Sequence, residues 1–340
     1  MDRKQLSGVD RVSIAPVPAL GYASYILQGL ADVLGPGRLC YETGIGPDMV
    51  PSASAIAFVV RCGDRQRHVY VDCGDSAGPD PAALAWADVM GKVNVFPGNA
   101  GDGICPIGPT FGIRVRPGAL EARSLLASYD RPRWRDASYS YYFLRGATEH
   151  TFRRTRIDSY QPGLSDPNYA FYVAWPWKKH PEVNPPRAAF IRACRAAPGL
   201  EFEGGFAPRR QNDLPEWNEF FTRRRYRIDD YLSNVRRSVV AFSNPAVHQC
   251  LGWKLGEFLA LGKAIVTLPL ERALPSPLDH GVHVHQVDGS QDSISEALSR
   301  IRTDANYRRR LETNARAWFT DHLQPAVVVR RLLHEVGAEP

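Results

Sequence analysis

Apolar and polar positions in the first part of the chain alternate between a period of two and a period near 3.6. Short runs rich in β-branched and aromatic residues predict strands at 11–17, 38–43, 55–62, 68–72 and 92–96. Longer stretches with one apolar face predict helices within 18–35 and at 81–90. Strands that alternate with helices indicate an α/β fold. Residues 97–120 are rich in Gly and Pro and predict a long loop, a feature that is often functional.

The second part of the chain repeats this alternation. Strands are predicted at 169–175, 200–206, 238–242, 264–268 and 282–287. Helices are predicted at 185–198, 228–237, 251–261, 292–304, 306–323 and 325–337. A turn-rich stretch at 162–168 separates the two patterns, so we predict one domain over 1–164 and a second over 165–322.

The strand–helix–strand pattern at 238–268 carries the clearest periodicity. Leu251, Leu255, Phe258 and Leu259 recur at helical spacing, which predicts that this helix face packs on a sheet. Gly262 stands where a helix C-cap is expected. A βαβ unit is right-handed by default and its strands are parallel, so we expect a parallel sheet here.

Polar residues gather where this helix begins. Ligands of open parallel sheets lie beyond the carboxyl ends of the strands, and the loop opened by Ser243 and Asn244 occupies that position. The N–H groups and dipole of a helix N-terminus favour phosphate. Trp253 and Lys254 follow, and Glu257, one turn on, can accept two hydrogen bonds from the vicinal hydroxyls of a ribose. The order predicts a nucleotide-diphosphate site. The alternative is that Lys254 and Glu257 form the exposed polar face of a helix that is buried on its other side.

Length and composition are those of an ordinary globular protein. The chain has 340 residues, enough for two domains, with 44% hydrophobic and 23% charged residues. No run approaches ~18 apolar residues, and the first residues lack the apolar core of a signal peptide. We therefore expect a cytoplasmic protein, with peripheral contact to the inner face of a membrane as a possibility. The six cysteines form no CxxC pair and suggest neither a zinc site nor a disulfide framework.

The net charge of +6 raises the question of an anionic partner. Nucleic acid, an anionic membrane and a phosphorylated small molecule are the three candidates. The arginine runs are interrupted by acidic residues such as Asp229, Asp230 and Glu312, which argues against a continuous nucleic-acid stripe. We therefore expect no nucleic-acid partner.

The stretch SVVAFSNPAVHQCLGWKLGEFLALGKAIVTLPLERALPSPL resembles the donor-binding half of GT-B glycosyltransferases, and is most similar to bacterial group 1-type and exostosin-like members. In that pattern Glu257 takes the place of the glutamate that binds the ribose. The resemblance covers about 165–335 and implies two Rossmann-like domains that face each other across a cleft. It also implies a terminal helix, 323–340, that returns to the first domain. Many retaining members carry an acidic residue eight positions before the ribose glutamate, where this chain has Gln249. The stereochemical outcome therefore stays open.

The resemblance also directs attention to the first domain, which usually supplies the general base of inverting members. Asp72 and Asp75 end a predicted strand and occupy the turn beyond it, so both are candidate catalytic residues, with ordinary turn chemistry as the alternative. Thr110 and Phe111, in the Gly- and Pro-rich loop, are candidate acceptor contacts or structural residues.

Related enzymes place basic residues after the first strand of the second domain, against the donor phosphates. Here that segment contains Trp175 and Lys178, which we expect to border the base and to bind phosphate, although a structural tryptophan is an equal alternative. His280, His283 and His285 suggest a metal cluster at first, and two of them would share one face of a strand. No carboxylate completes the set and GT-B enzymes need no metal for the chemical step, so we expect no metal and no cofactor.

The sequence therefore predicts a glycosyltransferase that moves a sugar from a nucleotide sugar to a hydroxyl of a glycan or of a lipid-linked acceptor. A nucleotide-sugar epimerase of the same fold and a non-catalytic sugar-binding protein are the alternatives. The donor sugar, the base, the acceptor and the oligomeric state stay open.

Overall fold

Contacts within the chain divide it into two units. The computed structural model describes residues 8–15, 17, 20–42, 44–46, 54–115, 148, 153–209 and 213–338. Unit 1 comprises 1–157, 272–276 and 321–340, and unit 2 comprises 158–271 and 277–320. The sequence had placed the divisions after 164 and after 322, and it contained no sign that 272–276 belongs with unit 1.

The helices and strands alternate along most of the chain. In chain order the described residues form β1 (Arg11–Ile14), α1 (Leu20–Leu34), β2 (Leu39–Tyr41), β3 (Ala55–Cys62), β4 (Arg65–Asp72), α2 (Pro81–Trp86), β5 (Val89–Lys92), β6 (Ile104–Pro106), β7 (Tyr169–Ala174), α3 (Asn184–Ala196), β8 (Glu201–Phe206), α4 (Ile228–Arg237), β9 (Ala241–Ser243), α5 (Trp253–Ala260), β10 (Ile265–Thr267), β11 (His285–Gln286), α6 (Gln291–Thr303), α7 (Ala305–Trp318) and α8 (Pro325–Glu335). Among these residues, no helix is both long and apolar enough to span a bilayer.

Unit 1 is built on a mixed sheet of six strands in the order β2-β1-β3-β4-β5-β6. Strands β3 and β4 form an antiparallel hairpin, whose turn is made possible by Gly63 with φ +56°. Strand β1 is antiparallel to β3, whereas β4, β5 and β6 run parallel. The alternation of strands and helices predicted the fold class correctly but did not reveal this hairpin.

Helix α8 packs against α1 in unit 1. The two helices approach so closely that a Cβ on Gly29 would lie 2.6 Å from Cγ2 of Val329 and in contact with the carbonyl oxygen of Pro325. Tyr25, one turn before Gly29, donates a hydrogen bond of 2.6 Å to the carbonyl of Leu323. The C-terminal residues are therefore part of the core of unit 1.

Unit 2 contains a parallel sheet. Strands β9, β10 and β11 form one ladder and β7 and β8 another, all of them parallel. The N–H of Val239, just before β9, donates to the carbonyl of Tyr169 in β7 at 2.8 Å, so the two ladders lie side by side. The order β8-β7-β9-β10-β11 is the 2-1-3-4-5 order of flavodoxin-like folds. Phe190 and Phe242 stack at 4.7 Å inside this core.

Several predicted boundaries were wrong. A strand had been predicted at 92–96, but β5 spans Val89–Lys92. Residues 89–95 are all buried, so burial alone does not mark where the strand ends. The strand ends where its pairing with β4 ends, at Lys92 opposite Asp72. Helix α2 ends at Trp86 rather than at 90. The side chain of Asp88 accepts the N–H of His68 at 2.7 Å, which ties the chain to β4. The loop predicted over 97–120 contains a strand, β6.

Candidate functional site

Two loops of unit 2 begin together at the carboxyl edge of its sheet. Strand β7 ends at Ala174 and the neighbouring strand β9 ends at Ser243. In a 2-1-3-4-5 sheet the strand order reverses between these two strands, and this switch point is where open α/β sheets bind ligands. Trp175 opens one loop and Asn244 opens the other. The carboxyl edge was the predicted location of the donor site.

Arg187 of α3 joins the two loops, and the sequence analysis missed it. Its Nε donates to Oδ1 of Asn244 at 2.8 Å, and its Nη1 donates to the carbonyl of Trp175 at 2.8 Å. The side chain is buried, and among the residues that the structure describes no carboxylate forms an ion pair with it. Burial of a guanidinium without a counterion costs free energy. Arg187 therefore leaves an uncompensated positive charge at the switch point, which an anionic ligand could neutralise.

Lys254, Tyr231 and Glu257 form a hydrogen-bonded chain between α5 and α4. The Nζ of Lys254 donates to the hydroxyl of Tyr231 at 3.2 Å, and that hydroxyl donates to Oε2 of Glu257 at 3.1 Å. Glu257 is only 5% exposed, and Lys254 is partly buried. The alternative in which both residues form an exposed polar face is therefore wrong.

Burial perturbs the protonation of this chain. Loss of water lowers the pKa of Lys254 to about 8, although Glu257 acts in the opposite direction, and the charge of Arg187 lowers it further. The pKa of Tyr231 is raised well above its usual value by burial and by the carboxylate of Glu257. Tyr231 therefore stays a hydroxyl donor at neutral pH. The charges of Arg187 and Glu257 therefore both act on Lys254, in opposite directions.

The loop that connects β9 to α5 has an unusual backbone. His248 and Gln249 have φ angles of +53° and +59°, a left-handed conformation that costs a non-glycine residue about 1–2 kcal/mol. Such strain is concentrated at functional sites. The ring of His248 lies 5.1 Å from that of His180, which follows β7. This contact links the same two loops that Arg187 joins. Gln249, at the position of the acidic residue in many retaining enzymes, is exposed.

The other predicted donor contacts lie at the same edge in different settings. Ser243 and Asn244 are buried, and Trp253 is partly exposed at the start of α5. Trp175 is 57% exposed. The Nζ of Lys178 lies 3.6 Å from Oδ2 of Asp213, so this lysine has an acidic partner inside the chain. The donor-binding roles of all these residues stay predictions.

The acidic candidates of unit 1 differ in how they are bonded. One carboxylate oxygen of Asp72 forms an ion pair with the fully buried Lys92, and the other accepts the N–H of Gly74 at 2.7 Å. Asp75 lies in the turn beyond and is exposed. The sequence analysis overlooked Lys92, although a lysine inside the apolar run VMGKVNV is a signal for a buried pair.

The acceptor candidates lie in the core of unit 1. Thr110 is 4% exposed and donates to Sγ of Cys73 at 3.7 Å. Phe111 is 2% exposed, and its ring lies 5.1 Å from that of Tyr25. The structural alternative accounts for both residues, and a role in acceptor binding stays a prediction.

The three histidines of 280–285 are each bonded within unit 2. The expectation that two of them share one face of a strand was wrong, because β11 contains only His285 and Gln286. The Nδ1 atoms of His280 and His283 accept backbone N–H groups at 3.0 and 3.1 Å, and Nδ1 of His285 lies 2.7 Å from the hydroxyl of Tyr307. Among the described residues, no group of three or more acidic, His or Cys side chains has the arrangement of a metal site.

Neither a protein-family model nor a curated protein matches the sequence. Among solved structures, the chain is similar to a glycosyltransferase from Rickettsia africae, with a TM-score of 0.45 and 9% identity over 73% of this chain and 62% of that one. It is similar to HepE of Anabaena in complex with UDP and glucose (TM-score 0.38, 10% identity, 78% of this chain and 97% of that one). It is also similar to a UDP-GlcNAc 2-epimerase from Neisseria meningitidis bound to UDP-GlcNAc (TM-score 0.38, 11% identity, 76% and 64%).

These likenesses are of fold alone. The chain is an α/β protein, as predicted, and the solved structures that it resembles include glycosyltransferases of the GT-B class. The chain spans less than two thirds of the Rickettsia enzyme and of the epimerase.

Proposed function

We propose that the chain is a glycosyltransferase that moves a sugar from a nucleotide-diphosphate sugar to a hydroxyl of a glycan, glycolipid or surface polysaccharide. One observation carries the proposal. At the carboxyl edge of the sheet in unit 2, Arg187 joins the two loops of the switch point. On the helix that follows one of these loops, Lys254 is linked through Tyr231 to the buried carboxylate of Glu257. A nucleotide diphosphate offers the anionic and hydroxyl groups that such a set would bind.

Each of these residues has a defined part in the proposed reaction. When the glycosidic bond to the donor breaks, negative charge grows on the departing diphosphate, and fixed cations beside it lower the barrier. Arg187 and Lys254 would supply that stabilisation. Glu257 would accept hydrogen bonds from the ribose hydroxyls, and Tyr231 keeps its carboxylate in place. The strained backbone at His248 would set the position of the loop against the donor.

Asp75 is the better candidate for the general base in unit 1. Both carboxylate oxygens of Asp72 are engaged, one by Lys92 and one by the N–H of Gly74. Because Asp72 neutralises a buried lysine, we assign it a structural role. Asp75 is exposed in the turn, where an acceptor hydroxyl could reach it.

A thermal-shift screen against nucleotide diphosphates and their sugars tests the proposal. A ligand at 100 times its Kd raises the free energy of unfolding by about 2.7 kcal/mol, which is easily seen as a rise in melting temperature. Glu257→Ala should abolish the shift that the best nucleotide gives. Glu296→Ala, which removes an exposed carboxylate from α6, is the matched control and should keep the full shift. The donor site is wrongly assigned if Glu257→Ala keeps the shift as well.

Turnover then separates transfer from the alternatives. A glycosyltransferase releases its nucleotide diphosphate faster when an acceptor is added, and the sugar appears on that acceptor. An epimerase converts the nucleotide sugar without any acceptor. Binding without either product would indicate a sugar-binding protein and would contradict the proposed transfer.

A further inference from the structure

Two tryptophan side chains are exposed on a rigid loop of unit 2. Trp175 is 57% and Trp177 is 37% exposed, whereas Pro176 between them is buried. The backbone of Trp177 is held on both sides by Asn184, which accepts its N–H at 2.9 Å and donates to its carbonyl at 2.8 Å. The carbonyl of Trp175 is held by Arg187. The fold therefore fixes the loop and leaves both indole rings in contact with water, although burial of an indole would be strongly favourable.

Lysines and arginines lie at the same edge of the sheet as these indoles. Lys178 and Lys179 follow them directly, and both are exposed. The segment 222–227 leaves the same edge of the sheet, because the N–H of Thr222 donates to the carbonyl of Phe206, the last residue of β8, at 2.8 Å. Arg223 and Arg225 on this segment are also exposed.

Two contacts make the cluster continuous. Arg225 donates to the carbonyl of Pro208 at 3.3 Å, which ties its segment to the loop after β8. Asp213 of that loop binds Arg209 through two hydrogen bonds of 2.6 Å and lies 3.6 Å from Lys178. We call the exposed set the basic aromatic surface, and it consists of Trp175, Trp177, Lys178, Lys179, Arg223 and Arg225.

The charge of this surface is positive. Two carboxylates near it already have other partners: Asp213 binds Arg209, and Glu182 lies 3.4 Å from Nδ1 of His180. Arg224 forms ion pairs with Glu203 and Asp230 at 3.0 and 3.7 Å, so its charge is compensated and it is not part of the basic aromatic surface. Among the residues that the structure describes, Lys179, Arg223 and Arg225 form no ion pair, and Lys178 forms only the longer pair with Asp213.

We propose that the basic aromatic surface docks unit 2 onto an anionic lipid bilayer. Tryptophan is enriched at the membrane interface, where its ring is apolar and its N–H stays hydrated. Lysines and arginines near a surface of anionic lipid each strengthen binding about fivefold, and membrane affinity rises with buried apolar area and electrostatic attraction together. The surface combines both signals on one edge of the sheet.

The location also bears on the acceptor. The switch point with Arg187 and Lys254 opens at the same carboxyl edge of the sheet, so docking would present a lipid-linked hydroxyl near the proposed donor site. This second step rests on the proposed function. Vesicle binding does not, because it is measured without nucleotide, so the two proposals can fail separately.

Co-sedimentation with large unilamellar vesicles tests the docking surface. We expect the wild type to bind vesicles of phosphatidylcholine with 30% phosphatidylglycerol at low salt, and to bind pure phosphatidylcholine far more weakly. Binding should be lost near 0.5 M salt, where the Debye length falls from about 10 Å toward 4 Å. Equal binding to both kinds of vesicle, or none to either, would overturn the proposal.

Charge-reversal variants localise the binding. Arg223→Glu/Arg225→Glu should weaken binding to the anionic vesicles by at least about twentyfold, because each lost cation removes a factor of about five. Arg309→Glu/Arg310→Glu makes the same change of charge on exposed residues of α7 and should stay within about twofold of the wild type. An equal loss of vesicle affinity in both variants would show that binding depends only on net charge, and the assignment to this surface would then be wrong. Melting curves confirm that each variant is folded.

Trp177→Ala distinguishes a bilayer from a soluble anionic glycan, since indoles and cations could contact either. Lipid with brominated acyl chains should quench wild-type tryptophan fluorescence, and Trp177→Ala should show clearly less quenching and several-fold weaker vesicle binding. Dextran sulfate serves as the soluble polyanion. If dextran sulfate binds wild type more tightly than the vesicles do, and brominated lipid quenches nothing, the surface binds a glycan and the bilayer proposal is wrong.

Discussion

Lys254 holds its positive charge where little water can stabilise it. Burial lowers its pKa to about 8, compared with about 10.4 for an exposed lysine. A bound diphosphate favours the protonated form, so nucleotide affinity should be full below about pH 8 and should fall as the pH rises beyond it. The phosphate groups of the ligand do not change their protonation above pH 7, because the second pKa of a phosphate is about 6.

Isothermal titration of the best nucleotide between pH 7 and 9.5 checks this prediction. Lys254→Met should bind more weakly at pH 7 and should lose the decline above pH 8. Arg309→Met, which removes an exposed cation from α7, should keep the wild-type profile. If Lys254→Met retains the decline, another group titrates, and the assignment of Lys254 is wrong.

Tyr231 is expected to be a positioning residue. Its hydroxyl connects Lys254 to Glu257, and Tyr231→Phe removes that hydroxyl while the ring remains. Glu257 then loses a donor in a buried setting, which costs about 1–3 kcal/mol of the free energy of unfolding. Nucleotide affinity should fall less than in Glu257→Ala, because the carboxylate is still present. Urea unfolding and titration calorimetry measure both effects, and an affinity loss as large as that of Glu257→Ala would instead indicate that Tyr231 touches the ligand.

At the scale of elements, the helices and strands were predicted most accurately where a single apolar periodicity dominates the segment. The strand–helix–strand unit around α5 was found because Leu255, Phe258 and Leu259 mark one buried face. The helix nevertheless begins at Trp253, not 251, because the left-handed residues His248 and Gln249 redirect the chain before it. No periodicity encodes such a backbone.

Arg187 shows why part of the site could not be predicted. In the sequence it is one of three arginines of α3, and a solvated position is the ordinary expectation for such a residue. Its partner Asn244 lies 57 residues away, and only the adjacency of β7 and β9 brings the two loops together. Glu257 and Lys254 were found because both lie on the same short helix as the apolar stripe, although their shared partner Tyr231 lies on α4.

Gly262 ends helix α5 in a way that only glycine allows. Its φ is +58°, and an added Cβ would lie 3.1 Å from Cβ of Arg316 and 3.2 Å from the carbonyl of Glu312. Gly262→Ala should therefore lower the free energy of unfolding by about 1–3 kcal/mol, through backbone strain and overpacking together.

Urea unfolding measures this change, with Gly252→Ala as the control at the other end of the helix. Gly252 has φ −86°, and a Cβ there would meet nothing within 4 Å. Its substitution should change the free energy of unfolding by less than about 0.5 kcal/mol. Equal effects at both glycines would show that the conformation at Gly262 is not what ends the helix.

At the scale of the whole molecule, the two units are interleaved along the chain. The segments 272–276 and 321–340 return to unit 1 after the chain has formed most of unit 2. Local patterns predicted α8 as a helix, but its place depends on the close approach that Gly29 permits, and nothing near residue 29 in the sequence specifies that. Packing between distant segments is the part of the fold that periodicity does not contain.

Gly29→Ala tests how far unit 1 depends on α8. The added methyl group would overlap Cγ2 of Val329 at 2.6 Å and the carbonyl oxygen of Pro325, and a backbone atom cannot move aside as a side-chain tip can. We expect a loss of about 3 kcal/mol or more in the free energy of unfolding, at the upper end for overpacking. Gly37→Ala, with open space around its Cβ, should be nearly neutral in the same urea titration. Limited proteolysis should cleave within 325–335 faster in Gly29→Ala than in Gly37→Ala, because α8 no longer packs closely against α1. Unchanged stability together with unchanged cleavage would mean that α8 is not packed on α1 in solution.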